Sequence, residues 1–347
     1  MPDSSTSHKT SRSTSHKTGS ATAHEGSKKC YAGIDVGGTN IKFGLFYPDG
    51  KIIYKEQRPT LADKGATPLM HLITNIAERL IMHASEDDFE VPYLGVGTPG
   101  SIDFKTGQVL GQTPHIPGWE GMEIGENLRN RLNMPVWVDN DVNSMSLAEL
   151  KFGAAVGTKS AVCVTVGTGV GGAVIIDGKL VRGHTHSAGE LGHMTINFEG
   201  PSCKCGKKGC VEAYCSTSAI IIKTKRKLEK DMTPVFQELI GGDMAKLNIK
   251  NITAAAKQDD YVAKEVLEEA AEYLAIGLGN IANLLNPQLI IIGGGLADGS
   301  PEFISYISSA VRKQAFPSAV KELKVTKAAL GNDAGFIGAG LLGESGN

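Results

Sequence analysis

Apolar and polar positions alternate along this chain in blocks that repeat. Positions 31–36 form a buried-strand pattern ending in Asp35-Val-Gly-Gly-Thr-Asn40. Positions 41–46 form a second strand, Pro48-Asp-Gly-Lys51 a turn, and 52–58 a third strand. The period then lengthens. Over 67–84, Leu69, Leu72, Ile73, Ile76, Leu80 and Ile81 share one helical face. A short buried strand at 93–97 runs into Thr98-Pro-Gly-Ser-Ile-Asp103, and a helix follows near 124–132. A strand at 136–139 delivers Asn140-Asp141, where a helix starts and continues to about residue 152.

The same order then recurs. Positions 161–166 read as a strand, 167–172 as a tight glycine-rich turn, 173–176 as a strand, and Asp177-Gly-Lys179 as a turn into Leu180-Val181. A strand, a Gly/Thr turn, a strand and an Asp-Gly-Lys turn in both halves predict an internal duplication: two similar α/β domains facing one another. Helical stretches follow at 216–229, 234–241, 251–258 and 260–285. A fully buried strand at 289–292 stops at Gly293-Gly-Gly295; a helix at 302–314, a strand at 323–328 and a small-residue helix at 335–342 complete the chain. Residues 1–29 have almost no large apolar side chain, and Ser-His-Lys-Thr occurs there twice, at 7–10 and 15–18. Such a segment buries too little surface to offset its ordering entropy, so it is expected to be a disordered tail. It also lacks the apolar core of a secretory signal.

Composition narrows the class. A chain of 347 residues is long enough for two domains. A net charge of −2 gives no basic surplus for nucleic acid, and no apolar run is long enough to span a bilayer. Six cysteines in a chain this size do not make a disulfide framework; three of them sit at metal-ligand spacing, which suits a reducing cytoplasm.

Those three are Cys203, Cys205 and Cys210, with His193 ten residues upstream. A Cys₃His set suits tetrahedral Zn²⁺ and is expected to staple its loop. His184 and His186 are near enough to compete as ligands, although their loop gives no reason to prefer them. Glu190 and Glu212 flank the ligands and are acceptors of the kind that recognise vicinal hydroxyls. His193 can bind metal through one ring nitrogen and present the other to a sugar.

Two glycine-rich turns bring backbone N–H groups close to an anion. The first holds Gly37, Gly38, Thr39 and Asn40; the second holds Thr168 and Gly169. Asp35, just before the first turn, is suited to Mg²⁺, and Lys42 to phosphate charge. Gly293, Gly294 and Gly295 offer a third close approach. Together these loops argue for nucleotide binding. Asn140-Asp141 lies at a strand end, where α/β folds place reactive groups. Asp141 is the candidate base for an acceptor hydroxyl, and Asn140 can bind the same polyol. A helix N-cap is the competing role for Asp141, and Asp139 is a rival base.

At these residues the sequence resembles the ROK family (repressors, open reading frames, kinases), and within it the sugar kinases. The matching features are Asp35-Val-Gly-Gly-Thr-Asn-Ile-Lys42, Gly97-Thr-Pro-Gly100, Asn140-Asp141, the second hairpin, Glu190-Leu-Gly-His193, the cysteine run through Glu212, and Gly293-Gly-Gly295. The resemblance implies a two-lobed actin-like, ribonuclease-H-like ATPase fold with a central cleft. The smaller lobe would span 30–142, completed by the C-terminal helix of 334–347, and the larger 143–333. It implies ATP, Mg²⁺ and a hexose, with Asp141 as base, and a homodimer or homotetramer. Gly100, Asn140, Glu190, His193 and Glu212 would line the sugar site, and His193, Cys203, Cys205 and Cys210 would bind zinc. Glucose is the expected hexose; N-acetylglucosamine, N-acetylmannosamine, mannose and fructose stay open, since His115-Ile116 stands where many of these kinases carry Asn-Leu. A sugar-responsive repressor would need an N-terminal helix-turn-helix, and residues 1–29 are too short and too polar to form one.

Overall fold

The computed structural model describes residues 28–111, 113 and 115–345. The expectation of disorder over 1–27 therefore lies outside the described residues. Where it extended to 28–29 it is corrected: Lys28–Lys29 pairs in parallel with Phe89–Glu90, and Cys30 N donates to Glu90 O at 3.0 Å. Two lysines carry no apolar signal; backbone pairing orders them, with the Lys29 ammonium 5.2 Å from the Tyr31 ring centroid.

Two five-stranded mixed sheets organise the chain. The first contains β1 (Tyr31–Val36), β2 (Asn40–Phe46), β3 (Ile52–Pro59), β4 (Leu94–Thr98) and β5 (Val136–Asn140), in the order β3-β2-β1-β4-β5. The second contains β6 (Ala161–Val166), β7 (Val170–Ile176), β8 (Lys179–Val181), β9 (Leu289–Gly293) and β10 (Lys324–Lys327), in the order β8-β7-β6-β9-β10. In each sheet the first three strands pair antiparallel as a meander, and the last two join in parallel. The repeated hairpin pattern in the sequence is thus a repeat of whole-sheet topology.

The second turn is shorter than the glycines suggest. β7 begins at Val170, so Gly171 and Gly172 lie in the strand. A Cβ on Gly171 would come within 2.5 Å of Val142 Cγ2, and one on Gly172 within 2.1 Å of Leu191 Cδ2. These glycines serve side-chain packing; the turn itself closes with Gly167 N donating to Gly169 O at 2.9 Å.

Helices cover the sheets as their apolar spacing requires. On α1 (Ala66–Glu86), Leu69, Met70, Ile73, Ile76, Ala77 and Leu80 are buried in one cluster with Ile34, Val36 and Phe43 of the first sheet. Next come α2 (Ile124–Leu132) and α3 (Asp141–Phe152). The longest helix, α4 (Tyr261–Leu285), is capped by Asp260, which accepts from Ala263 N at 2.9 Å, and ends at Asn286 in the left-handed region. With α5 (Pro301–Gln314) it packs on Val162, Val164, Ile290 and Ile292 of the second sheet.

Between the sheets lies a third apolar cluster, around α3 and α6 (Ala334–Gly340). Here backbones touch: a Cβ on Gly33 would lie 1.8 Å from Phe336 O, on Gly95 1.7 Å from Ala339 O, and on Gly338 1.6 Å from Ser144 O. The small residues of α6 are therefore a packing requirement where the helix meets β1, β4 and α3.

One buried carboxylate fastens this middle layer. Glu149 on α3 is 0% exposed and accepts from Ala154 N at 2.7 Å, Ala329 N at 3.0 Å and Leu330 N at 2.9 Å. It joins the connection leaving α3 to the one leading into α6. Removing it strands three part-buried donors, which water reaches in part, so each costs less than the about 1–3 kcal/mol of a fully buried one. Glu149→Ala is expected to lower the unfolding free energy by about 2–3 kcal/mol in urea titrations, with Glu149→Gln in between because one acceptor oxygen survives.

Candidate active site

A cavity of about 610 Å³ opens at the carboxyl ends of the central strands of both sheets. From the first sheet come Asp35, Gly37, Gly38, Thr39, Lys42, Gly100, Asn140 and Asp141; from the second, Thr168, Gly169, Glu190, His193, Glu212, Gly294 and Gly295. Two residues expected at the nucleotide stay outside this lining. Asn40 closes the first turn, accepting from Gly37 N at 3.1 Å, and a Cβ on Gly293 would meet Met145 Sδ at 2.9 Å. Gly38 and Gly295, by contrast, have open space above their Cα atoms, as an approaching anion requires.

The junction of β5 and α3 separates the roles of its three polar residues. Asn140 is the helix cap: its Oδ1 accepts from Val142 N at 2.8 Å and Asn143 N at 3.2 Å, while its Nδ2 donates to Gly100 O at 3.2 Å. Asp141 is instead the first helical residue, half-buried, with Oδ1 3.0 Å from Val142 N. The capping role weighed for Asp141 thus belongs to its neighbour. Asp139, the rival base, is occupied. Its Oδ1 accepts from Asn140 N at 2.7 Å and Asn143 Nδ2 at 2.9 Å, and its Oδ2 pairs with Arg182 Nε at 2.7 Å. Asp141 is left with a carboxylate facing the cavity.

Burial pushes the Asp141 carboxyl up to about 6; the charge of Glu190 adds to this, and the Val142 N–H and Asn140 side chain oppose it. Asp35 rises to about 7, again from burial first and then from the charge of Asp141, with Lys42 opposing. Two neighbouring carboxyls raised toward neutrality at the end of a cavity mark a site that handles protons or cations.

The opposite wall is built by the cysteine-rich loop. One ligand atom from each of His193, Cys203, Cys205 and Cys210 falls within 4.8 Å of all the others. His193 Nδ1 is 3.7 Å from Cys203 Sγ, and Cys205 Sγ is 3.6 Å from Cys210 Sγ. Thiolate bonds of about 2.3 Å around a tetrahedral ion put sulfurs about 3.8 Å apart. The four side chains therefore fit a four-coordinate metal ion. His186 does not join them: its Nε2 lies 3.6 Å from Asp103 Oδ1, at a different wall. Glu212 follows the cluster and ties it to the second turn, its Oε2 accepting from Val170 N at 2.9 Å. Glu190 Oε1 accepts from Ser101 Oγ at 3.4 Å.

Several lining residues escape sequence reasoning. Asn332 accepts from Lys42 Nζ at 2.9 Å across 290 positions of chain, a pairing no local pattern encodes. Lys204, between two cysteines, turns toward the cavity, as does Thr113, whose hydroxyl is buried without a hydrogen-bond partner among the described residues. Ser101 directly follows the Gly97-Thr-Pro-Gly100 stretch, so that motif was a usable signal for it.

Paired mixed sheets, each opening on a glycine-rich turn at a shared cavity, define an α/β protein with the fold of the sugar kinases. More particularly, the chain belongs to the ROK family, whose model matches residues 31–345. The glucokinase of Thermotoga maritima is 34% identical over 307 residues, covering 88% of this chain and 95% of that protein. The glucokinase of Halalkalibacterium halodurans is 33% identical over 320 residues, covering 91% and 95%. Among solved structures, a ROK family glucokinase from Streptomyces griseus in complex with glucose and AMPPNP superposes with a TM-score of 0.81 at 32% identity, covering 90% of this chain and 98% of that one.

Proposed function

We propose that this protein is a hexose kinase that transfers the γ-phosphoryl group of ATP to glucose, giving glucose 6-phosphate. The observation that carries the reading is the division of one cavity into two ends. Glycine turns at Gly37–Gly38 and Thr168–Gly169 suit a polyphosphate. Asn140, Asp141, Glu190, His193 and Glu212 suit a polyol. The likeness over nearly the whole chain to glucokinases, one of them solved with glucose and an ATP analogue, supports the same pairing of ligands.

In this reading Asp141 accepts the proton of the attacking hydroxyl. Asn140, Glu190, Glu212 and the Nε2 of His193 hold the sugar so that this hydroxyl meets the phosphoryl group in line. Lys42 and the turn amides balance phosphate charge. Asp35 would hold Mg²⁺, which when bound neutralises the phosphate oxygens. The metal of the Cys₃His set is read as Zn²⁺, a structural fastener with all four positions taken by protein. We read the two sheets as the centres of two lobes, 30–142 with 334–347 and 143–333, and the cavity as the cleft between them. Closure on sugar would exclude water and limit idle ATP hydrolysis. A homodimer or homotetramer in the cytoplasm completes the proposal; no helix among the described residues is long and apolar enough to cross a membrane.

The test is coupled ADP release with glucose, N-acetylglucosamine, N-acetylmannosamine, mannose and fructose in turn. Glucose is expected to give the highest kcat/KM. No turnover on any hexose would refute the kinase reading, and a different leading sugar would refute only the choice of glucose.

A further inference from the structure

Arg182 lies just past β8, at the edge of the second sheet, yet its side chain reaches the first. Its Nε meets Asp139 Oδ2 at 2.7 Å, its Nη2 donates to Ser345 Oγ at 3.0 Å, and its guanidinium lies 3.7 Å above the Phe104 ring centroid. Only 16% of the Arg182 side chain and 2% of the Asp139 side chain is exposed, so the pair is withdrawn from water. The planar guanidinium donates in its plane to Asp139 and Ser345 while its face stacks on Phe104, a combination a compact lysine ammonium does not offer.

The position of the pair is informative. Asp139 immediately precedes Asn140 and Asp141. Its other oxygen takes the Asn140 N–H at 2.7 Å and the Asn143 amide at 2.9 Å, fixing the turn from β5 into α3. On the other side, Arg182 O accepts from Ala188 N at 3.0 Å, closing the loop that leads to Glu190. One residue thus touches the supports of both groups that flank the polyol end of the cavity.

We propose that Arg182 is a positioning residue, which sets the working separation of Asp141 and Glu190 by tying the edge of the second sheet to the end of β5. The inference rests on the kinase reading, with Asp141 as base, and deepens it. A shift of about 1 Å at a reacting group is enough to cost up to about 10²-fold in rate. The phosphate turns are held by Thr60, which donates to Gly37 O and Thr39 O, and by Glu212 and Thr217, which bond Val170 N and Gly167 O; none of these contacts involves Arg182. Its loss is therefore expected to act on kcat and on sugar KM, and to leave ATP KM alone.

The experiment compares wild type with Arg182→Lys, Arg182→Met, Asp139→Asn and the double variant Arg182→Met/Asp139→Asn, in full-length protein. Melting temperature is measured beside steady-state kinetics. Both Arg182 single variants are expected to lose roughly 10- to 10²-fold in kcat, with ATP KM within about twofold of wild type. The double variant removes both buried charges. It is expected to regain much of the melting temperature lost by Arg182→Met while kcat stays low, because the fork is still missing. Recovery of kcat together with stability would show a purely structural pair and overturn the proposal, as would an Arg182→Lys enzyme with near-normal kcat. Absence of hexose phosphorylation by the wild type would instead refute the kinase reading itself.

Discussion

Asp141→Asn is expected to abolish nearly all turnover while leaving a folded protein that still binds sugar. General-base catalysis contributes about 10²–10⁴-fold, and the geometry offers no substitute. Asp139 is locked between Asn140, Asn143 and Arg182, while Asp35 sits before the phosphate turn. Asn140 would still cap α3, so the helix start survives the change. The wild-type profile of kcat/KM should fall on the acid side near pH 6, as Asp141 takes up the proton that makes it useless as a base. The sign for stability is opposite. A carboxyl whose folded pKa is raised from 3.8 to about 6 binds its proton more tightly in the native state. Its contribution is therefore most favourable at low pH and is lost as pH rises through the folded value. Asp141→Asn removes that penalty and should melt higher than wild type at pH 7.5. Turnover is measured by coupled ADP release and sugar binding by calorimetry. Near-normal turnover in the variant would remove Asp141 from the base role, and a variant that no longer binds sugar would show that the carboxylate serves mainly to hold substrate.

What was legible in the sequence was mostly local. The strands at 31–36 and 161–166 and the helix at 124–132 were legible because each is a single periodic run bounded by glycine or a turn. The Cys₃His cluster was legible because three of its four residues occur within eight positions. The repeat was legible because both halves open with the same hairpin. Other features depend on distant partners. Lys28–Lys29 has no apolar signal and is ordered by Phe89–Glu90. The hairpin of Ile102–Asp103 and Gln108–Val109 is too short to show a period. Gly171 and Gly172 mimic a turn, because what demands them is the proximity of Val142 and Leu191. At Asn140-Asp141 either residue is a good cap by type. The pull of Gly100 on the Asn140 amide, 40 positions away in sequence, accompanies the choice. The link from Arg182 to Asp139 is of the same kind: composition shows two common charges, and only the fold brings them together out of water.

The second large effect is expected from the cysteine cluster. Cys205→Ala should lose bound zinc and sugar affinity together, while the bulk of the fold remains. Turn hydrogen bonds also shape the loop from 194 to 210, among them Ile196 N to Gly209 O, Cys203 N to Lys207 O and Gly209 N to Pro201 O, each 2.8 Å, but these bonds run within the loop itself. Phe198 is 80% exposed, and the strand-like contacts there are the isolated bridges Thr195 to Cys210 and Ser202 to Lys208. Zinc binding to a complete ligand set supplies about 10–16 kcal/mol in small zinc domains, more than any one of these hydrogen bonds at about 0.5–1.5 kcal/mol each. Without it, His193 and Glu212 lose their common anchor. Hydrogen bonds to charged groups are worth about 1.5–3 kcal/mol each, so displacing two polyol contacts should weaken sugar binding by about 10²-fold or more. Cys203, Cys205 and Cys210 belong to neither core cluster, and only Met194, Ile196, Val211 and Cys215 around them pack into that of the second sheet, so circular dichroism should change little. Glu212 also holds Val170 N beside the phosphate turn, which predicts a smaller rise in ATP KM alongside the larger one for sugar. Metal analysis of the wild type should find one zinc per chain. A zinc-free wild type that is fully active would refute the fastener. If Cys205→Ala loses zinc but keeps its sugar KM, the carboxylates are held by the protein framework alone.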